Sequence, residues 1–496
     1  MKLLYVSWLG IHLLFFGAAI TAQAQLATGT SCEPLPQPGG NIVHVDSVAT
    51  LQSAVDNASP GDSILLADGI YNLDGAYLRV DTPNVTIRSN SGNRDAVVLD
   101  GNYQTTEILQ IVASNVTIAD ITLREAYDHP IHVMSTDSSD TRNTLIYKVK
   151  ITDPGEQAIK INPVSTGFYP DEGIIACSHI ELTDTGRSHI RNNCYTGGID
   201  AHQAKDWIIR DNLIEGFWCE SGLSEHGIHL WRGSRDTLVE RNVLKNNARG
   251  IGFGLATSGS ARTYADDPCP NANGGYVDHY GGIIRNNFVH ANHKTIFDSD
   301  QGFDCGICVW QACGARVLHN TVASTKPPFS SIEWRFDQAD VEIRNNLVTH
   351  KLRDRGGSAL AENNIEHASL TLFVDADNGD LHLLPTATDA IDQAAALGDV
   401  SDDIDGNPRP IGTAADIGAD EFIPGNCSGD TIELSSRVFD SYTQTTCVAS
   451  TMLTMASDVT VENHAELELI SPSVFFGSDV HIQTGGILKV KRLTMR

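Results

Sequence analysis

Gly197-Gly198-Ile199-Asp200-Ala201-His202 is followed by His226-Gly227-Ile228-His229-Leu230-Trp231, and then by Arg249-Gly250-Ile251-Gly252-Phe253-Gly254. Each copy alternates an inward apolar residue with a variable one, the period of a half-buried strand. The same phrase extends in both directions, beginning at Ile131, Ile159, Ile199, Ile228, Ile251, Ile307 and Ile332. A second apolar strand follows many copies and ends in Asn, at positions 212, 242, 287, 320 and 346. Repeats of this size built from strands and turns predict a β-solenoid. Stacked coils lie about 4.8 Å apart, so the variable residues become two ladders. The first is His132, Lys160, Asp200, His229, Gly252, Cys308, Glu333, and the second is Met134, Asn162, His202, Trp231, Gly254, Trp310, Arg335. This reading places both ladders on one surface stripe.

Upstream of the repeat, residues 1–24 read as a secretory signal: Lys2, an apolar run, then Ala22-Gln23-Ala24 as a cleavage site. Nothing else is long and apolar enough to span a bilayer. The mature protein is therefore expected to be secreted, extracellular or at the cell surface, with the periplasm as an alternative. A formal net charge of −28 argues against nucleic acid as a partner. It also sets the cations of the ladders against an acidic background. Ten Cys in an exported chain predict disulfides. Cys427–Cys447, Cys177–Cys194 and Cys219–Cys269 are the expected pairs, and Cys305-x2-Cys308-x4-Cys313 reads as disulfide rather than zinc-binding.

A helical turn at Leu51-Gln52-Ser53-Ala54-Val55-Asp56 precedes Asp62-Ser63-Ile64-Leu65-Leu66-Ala67-Asp68-Gly69-Ile70-Tyr71. Such a helix would cap the open end of a solenoid. This stretch resembles the start of secreted proteins of the pectate-lyase-like superfamily, most closely the chondroitinase B and alginate lyase branch. Asn84-Val85-Thr86-Ile87 and Asn115-Val116-Thr117-Ile118 continue the likeness, which covers about residues 41–423. It implies an all-β fold, a right-handed parallel β-helix. It also implies binding of an acidic polysaccharide and cleavage by β-elimination, often with calcium and a Lys, Arg or His base. Asp405–Pro410 and Ala415–Phe422 look like a closing segment common in exported bacterial β-helix proteins. The expected domains are the signal peptide (1–24), the β-helix (25–424) and a small β-solenoid-like sorting or attachment module (425–496).

The chemistry concentrates on the ladders. Asp200 lies one coil from His229, where a carboxylate can orient an imidazole. The expected catalytic group is His229 as base, with Asp200, Lys160 and Arg232. His202, Trp231, Arg249, Trp310, Glu333 and Arg335 are candidate substrate contacts, and Gly252 and Gly254 are expected to leave a hollow beside Trp231. The alternative is that His and Asp simply hydrogen-bond along an exposed stripe. Asp298, Asp300 and Asp304 are weak calcium candidates, short of a full calcium loop. Leu255–Asp278, which interrupts the repeat, is either a lid or cleft wall or a tolerated insertion. Two function classes follow: a polysaccharide lyase acting on a uronate-containing polysaccharide, or a noncatalytic glycan-binding or structural surface protein. A glycoside hydrolase fits less well. Its two carboxylates must stand about 5–10 Å apart, whereas Asp200 and Glu333 are four coils, about 19 Å, apart.

Overall fold

In the computed structural model the described residues are 32–492, apart from 166, 267–268, 270–274, 300–301, 424–426, 435–436, 440–443, 457–458, 462–465, 478–479 and 485–486. The expected signal peptide and the expected boundary at Pro424-Gly425 fall outside them. Three long sheets of fourteen, ten and ten strands run the length of the repeat, and their strand pairs are parallel. The chain visits the sheets in turn, once per coil, forming a right-handed parallel β-helix as expected for parallel crossovers.

The seam sheet contains the repeated phrase. Its described strands stack in the order Leu78–Val80, Glu107–Ile111, His129–Met134, Gln157–Asn162, Gly197–His202, His226–Trp231, Arg249–Phe253, Cys305–Trp310, Ser330–Arg335 and Leu352–Arg355. Its register is the one read from the sequence. His132 pairs with Lys160, Lys160 with Asp200, Asp200 with His229, His229 with Gly252, Gly252 with Cys308, and Cys308 with Glu333. Ile131, Ile159, Ile199, Ile228, Ile251, Ile307 and Ile332 form one fully buried column. A register slip of one residue would expose that whole column and bury charge in its place.

The recurring asparagines form a second device at the turn between the other two sheets. Nδ2 of Asn212, Asn242, Asn287, Asn320 and Asn346 donates to Oδ1 of the next asparagine at 2.9–3.0 Å, ending on Asn364. Each Oδ1 from Asn242 to Asn364 also accepts the backbone N–H of the preceding asparagine. The left-handed backbone falls on the residue before each asparagine: Asp211, Arg241, Asn286, His319, Asn345 and Asn363 have φ between 51° and 58°. That bend aims the following amide along the helix axis, so the asparagines ladder because their neighbours turn.

A helix at Val48–Asp56, closed at its start by reciprocal Ser47 and Thr50 hydrogen bonds, buries Leu51 and Val55 in the main core beside the first strand, Ile42–Val45. The segment after residue 424 forms a further five-stranded and a three-stranded sheet around its own apolar core of Ile432, Leu453, Met455, Val459, Leu467 and Leu469.

Two expected disulfides are corrected. Cys177 bonds to Cys32, Cys194 to Cys219, Cys269 to Cys313 and Cys305 to Cys308. Cys32 reaches Cys177 because the leading segment crosses the outer face of the fourteen-stranded sheet. There Tyr147 donates to the Glu33 carbonyl and Leu35 packs on the sheet. Cys427 and Cys447 are register partners, and Cys447 is disulfide-bonded.

Replacing Asn242 by Ala orphans the Asn212 amides and removes a donor from Asn287. Two or more buried groups at about 1–3 kcal/mol each should lower local stability by about 2–5 kcal/mol. Native-state hydrogen exchange over residues 208–245 should show it as at least tenfold faster exchange, and unchanged protection would contradict the ladder's role.

Candidate functional site

The seam is not the open surface stripe expected from the sequence. Lys160, Asp200, His229, Cys308, Glu333 and Trp310 are all buried. Long side chains from adjacent coils and from the bends before each strand close over one another, and the stripe becomes a polar seam with an accessible edge.

Asp200 is the hub. Its Oδ2 pairs with Lys160 Nζ and lies 3.2 Å from His202 Nε2. Its Oδ1 accepts from Trp231 Nε1 at 2.9 Å and lies 3.6 Å from His229 Nδ1. Burial pushes the Asp200 carboxyl up, but Lys160 and then His202 and His229 outweigh it and hold it well below the usual range. Lys160 also donates to Tyr195 Oη at 3.1 Å and lies 3.2 Å from His202 Nε2. Burial would lower Lys160, but Asp200 and Tyr195 overcome this and raise it, so it stays charged. Burial lowers His202 against the pull of Asp200, with Lys160 and Arg232 adding to the lowering, which keeps the ring neutral at neutral pH. Burial and Asp200 raise Tyr195, which stays a phenol.

Around this hub, Trp231 stacks on His229 with ring centres 5.3 Å apart and meets His202 edge-on at 4.6 Å. The Arg232 guanidinium lies 4.5 Å from the Trp231 ring centre. Trp231 is only partly exposed and so offers less free face than expected. Arg232 has no ion pair among the described residues, and its backbone N–H donates to Asp278 Oδ1.

Several expected contacts lie elsewhere or do other work. His229 is fully buried, with Nε2 3.3 Å from the Gly254 carbonyl. A base must reach its substrate, so His229 does not fit that role in this arrangement. The hollow at Gly252 and Gly254 is absent. A Cβ on Gly252 would stand 2.6 Å from the His226 ring, and one on Gly254 would stand 1.9 Å from the Trp310 carbonyl. Arg249 is paired with Asp304 at 3.0 Å. Glu333 has no exposure and is held by Trp310 Nε1, Ser330 and Arg355. Arg335 rests on Trp310 and Phe336. The seam thus brings Lys160, Asp200, His202, Trp231 and Arg232 together and leaves Trp310, Glu333 and Arg335 as a separate lower cluster.

The calcium reading weakens on the same grounds. Asp298 faces Lys294 and Lys326, and Asp304 is taken by Arg249. Asp300 lies outside the described residues.

The described part of Leu255–Asp278 is pinned to the coils. Asp278 accepts from the amides of Arg232, Leu255 and Ala256 and from Tyr276. Arg262 pairs with Asp171, and Cys269 is bonded to Cys313.

Four contributors went unread in the sequence: Tyr195, Glu107, Glu225 and His226. Tyr195 and Glu225 lie on bends before their strands, where the period carries no information. Glu107 sits on a coil without the Ile phrase, yet it bonds His132 at 2.7 Å. His226 was legible as the residue two before Ile228.

No family model matches the chain, and no curated protein is similar to it. Among solved structures, an alginate lyase from Paenibacillus sp. str. FPU-7 is 18% identical with a TM-score of 0.43, over 66% of this chain and 99% of that one. The pectate lyase Pel9A is 14% identical with a TM-score of 0.44, over 74% and 90%. A polygalacturonase from Erwinia carotovora is 11% identical with a TM-score of 0.34, over 93% and 100%. These likenesses concern the fold, and the chemistry rests on the residues above.

Lys160→Met strips a buried carboxylate of its main counter-charge. It should cost about 3–5 kcal/mol in a denaturant melt, and Lys160→Met/Asp200→Asn should cost clearly less. Equal losses for the single and double variants would show that Asp200 does not depend on Lys160.

Proposed function

We propose that the protein is a secreted polysaccharide lyase that cleaves a uronate-containing polysaccharide by β-elimination at the edge formed by Lys160, Asp200, His202, Trp231 and Arg232. One observation carries the reading. A neutral imidazole, His202, stands at the accessible edge close to a guanidinium, Arg232, that has no carboxylate partner among the described residues. Elimination needs both: a base for the proton alpha to the uronate carboxylate, and a cation for the charge that develops there.

Burial of His229 moves the base role to His202. With Nε2–H donating to Asp200, Nδ1 keeps the lone pair that takes the proton. The C–H electron pair becomes the new double bond, the glycosidic C–O bond breaks, and the departing oxygen takes a proton from Tyr195. Arg232 pairs with the substrate carboxylate in the fork geometry that suits it. Lys160, held charged by Asp200, adds positive potential and is not the base. The disulfides support an oxidising compartment. No described helix is long and apolar enough to cross a membrane.

Burial of Asp200, His229 and Glu333 favours a second reading, a noncatalytic glycan-binding protein whose polar seam is structural. A panel of alginate, pectate and chondroitin separates the two. A lyase produces ultraviolet absorbance from unsaturated uronate, whereas binding without absorbance or new reducing ends supports the second reading. His202→Ala should lose at least about a hundredfold in kcat. Burial places the His202 pKa below 6.5, and a base works deprotonated. The rate plateau should therefore extend below pH 6.5 before falling, and a rate already halved at pH 7 would remove His202 from the role.

A further inference from the structure

Between the two clusters of the seam lies a group that the elimination chemistry does not use. Glu225, His226 and His229 converge, with one ligand atom from each lying within 4.8 Å of the others. His229 Nδ1 is 3.4 Å and His226 Nδ1 4.0 Å from Glu225 Oε2, and the two imidazole centres are 4.2 Å apart. Both histidines have no exposure, while the Glu225 side chain keeps 20%.

The hydrogen-bond inventory of this group does not close. The Gly254 carbonyl can only accept, so His229 Nε2 must carry the hydrogen that points at it. In the neutral ring the Nδ1 lone pair then faces Glu225 Oε2 and Asp200 Oδ1, 3.4 and 3.6 Å away, which also only accept. Among the described residues neither nitrogen of His226 has a hydrogen-bond partner, and neither do His229 Nδ1 or Glu225 Oε2. Unpaired polar atoms at this depth are costly. A proton on His229 would answer the first conflict but leave His226 bare. A single cation among the three residues would engage His229 Nδ1, Glu225 Oε2 and one nitrogen of His226 at once.

We propose that Glu225, His226 and His229 form a binding site for a divalent first-row transition metal ion of the zinc type. Two imidazoles and a carboxylate are the donors such ions take. Calcium is disfavoured because it prefers a shell of oxygens. The surroundings are built for the arrangement. Gly252 lacks the Cβ that would collide with the His226 ring. Ser224 Oγ donates to the Phe217 carbonyl and the Glu225 N–H to the Thr196 carbonyl, which fixes the bend that presents Glu225. The sulfurs of Cys305 and Cys308 also come within ligand distance of His226 but are joined to each other and offer no thiolate. Glu225, the partly exposed member, marks the way in. The site is independent of the lyase reading.

The full chain, stripped with a chelator, is titrated with Zn(II) by calorimetry and with Co(II) followed by visible absorbance. One saturable site per chain is expected. Glu225→Gln, a near-isosteric change at a partly exposed side chain, and His226→Gln should each weaken binding by more than the 10–100-fold that loss of a supporting contact alone costs. Thermal melts of the metal-free variants check that they fold. Zinc-edge X-ray absorption on the unaltered chain requires no variant and should count two imidazole nitrogens. No saturable binding, an all-oxygen shell, or full affinity in both variants would overturn the assignment.

Discussion

The structure depends on keeping successive coils in register at one strand spacing. Two devices do this without sharing residues: the buried isoleucine column of the seam sheet and the asparagine ladder at the opposite turn. The first is nondirectional and would tolerate sliding along the axis. The second is directional, because each amide must meet the next carbonyl oxygen at about 2.9 Å. Over the coils that carry both, they fix the rise and the rotation together. A site built from residues on successive coils is then as well positioned as one on a single strand.

That precision makes the polar seam affordable. Asp200 is nearly inaccessible, yet it is met by Lys160, His202, Trp231 and His229 from three successive coils. Removing a charge from water is repaid only where its partners are held in good geometry. The coil spacing supplies that geometry, and bends such as the one carrying Tyr195 add the remaining donors. The result is a buried ion pair whose edge presents a neutral imidazole and a guanidinium without an ion pair among the described residues. On one of these coils His229 and its neighbour His226 also lie against Glu225, with polar atoms left unpaired among the described residues.

The isoleucine phrase made the fold and its register legible, because period two admits one answer when one face must be buried. The asparagine column was legible for a similar reason, though Asn364 was passed over. The burial of the outward face was not legible. It comes from side chains such as Tyr195 and Glu225, which lie on bends and follow no period, and Arg355, on a coil without the Ile phrase. Gly252 read as a hollow because sequence shows an absent side chain and not the ring from His226 that fills the space. The link from Cys32 to Cys177 was missed because the leading segment lies across several coils rather than within one. His229 and His202 both stand beside Asp200, and only their depth separates them.

The most direct test of the account is hydrogen exchange of the full chain with and without short oligomers of mannuronate, guluronate and galacturonate. If the edge at Lys160, His202 and Arg232 receives the glycan, one oligomer should slow exchange across residues 195–204 and 226–233 and leave the far lower cluster at 330–335 unchanged. Protection confined to any other face of the helix would contradict it.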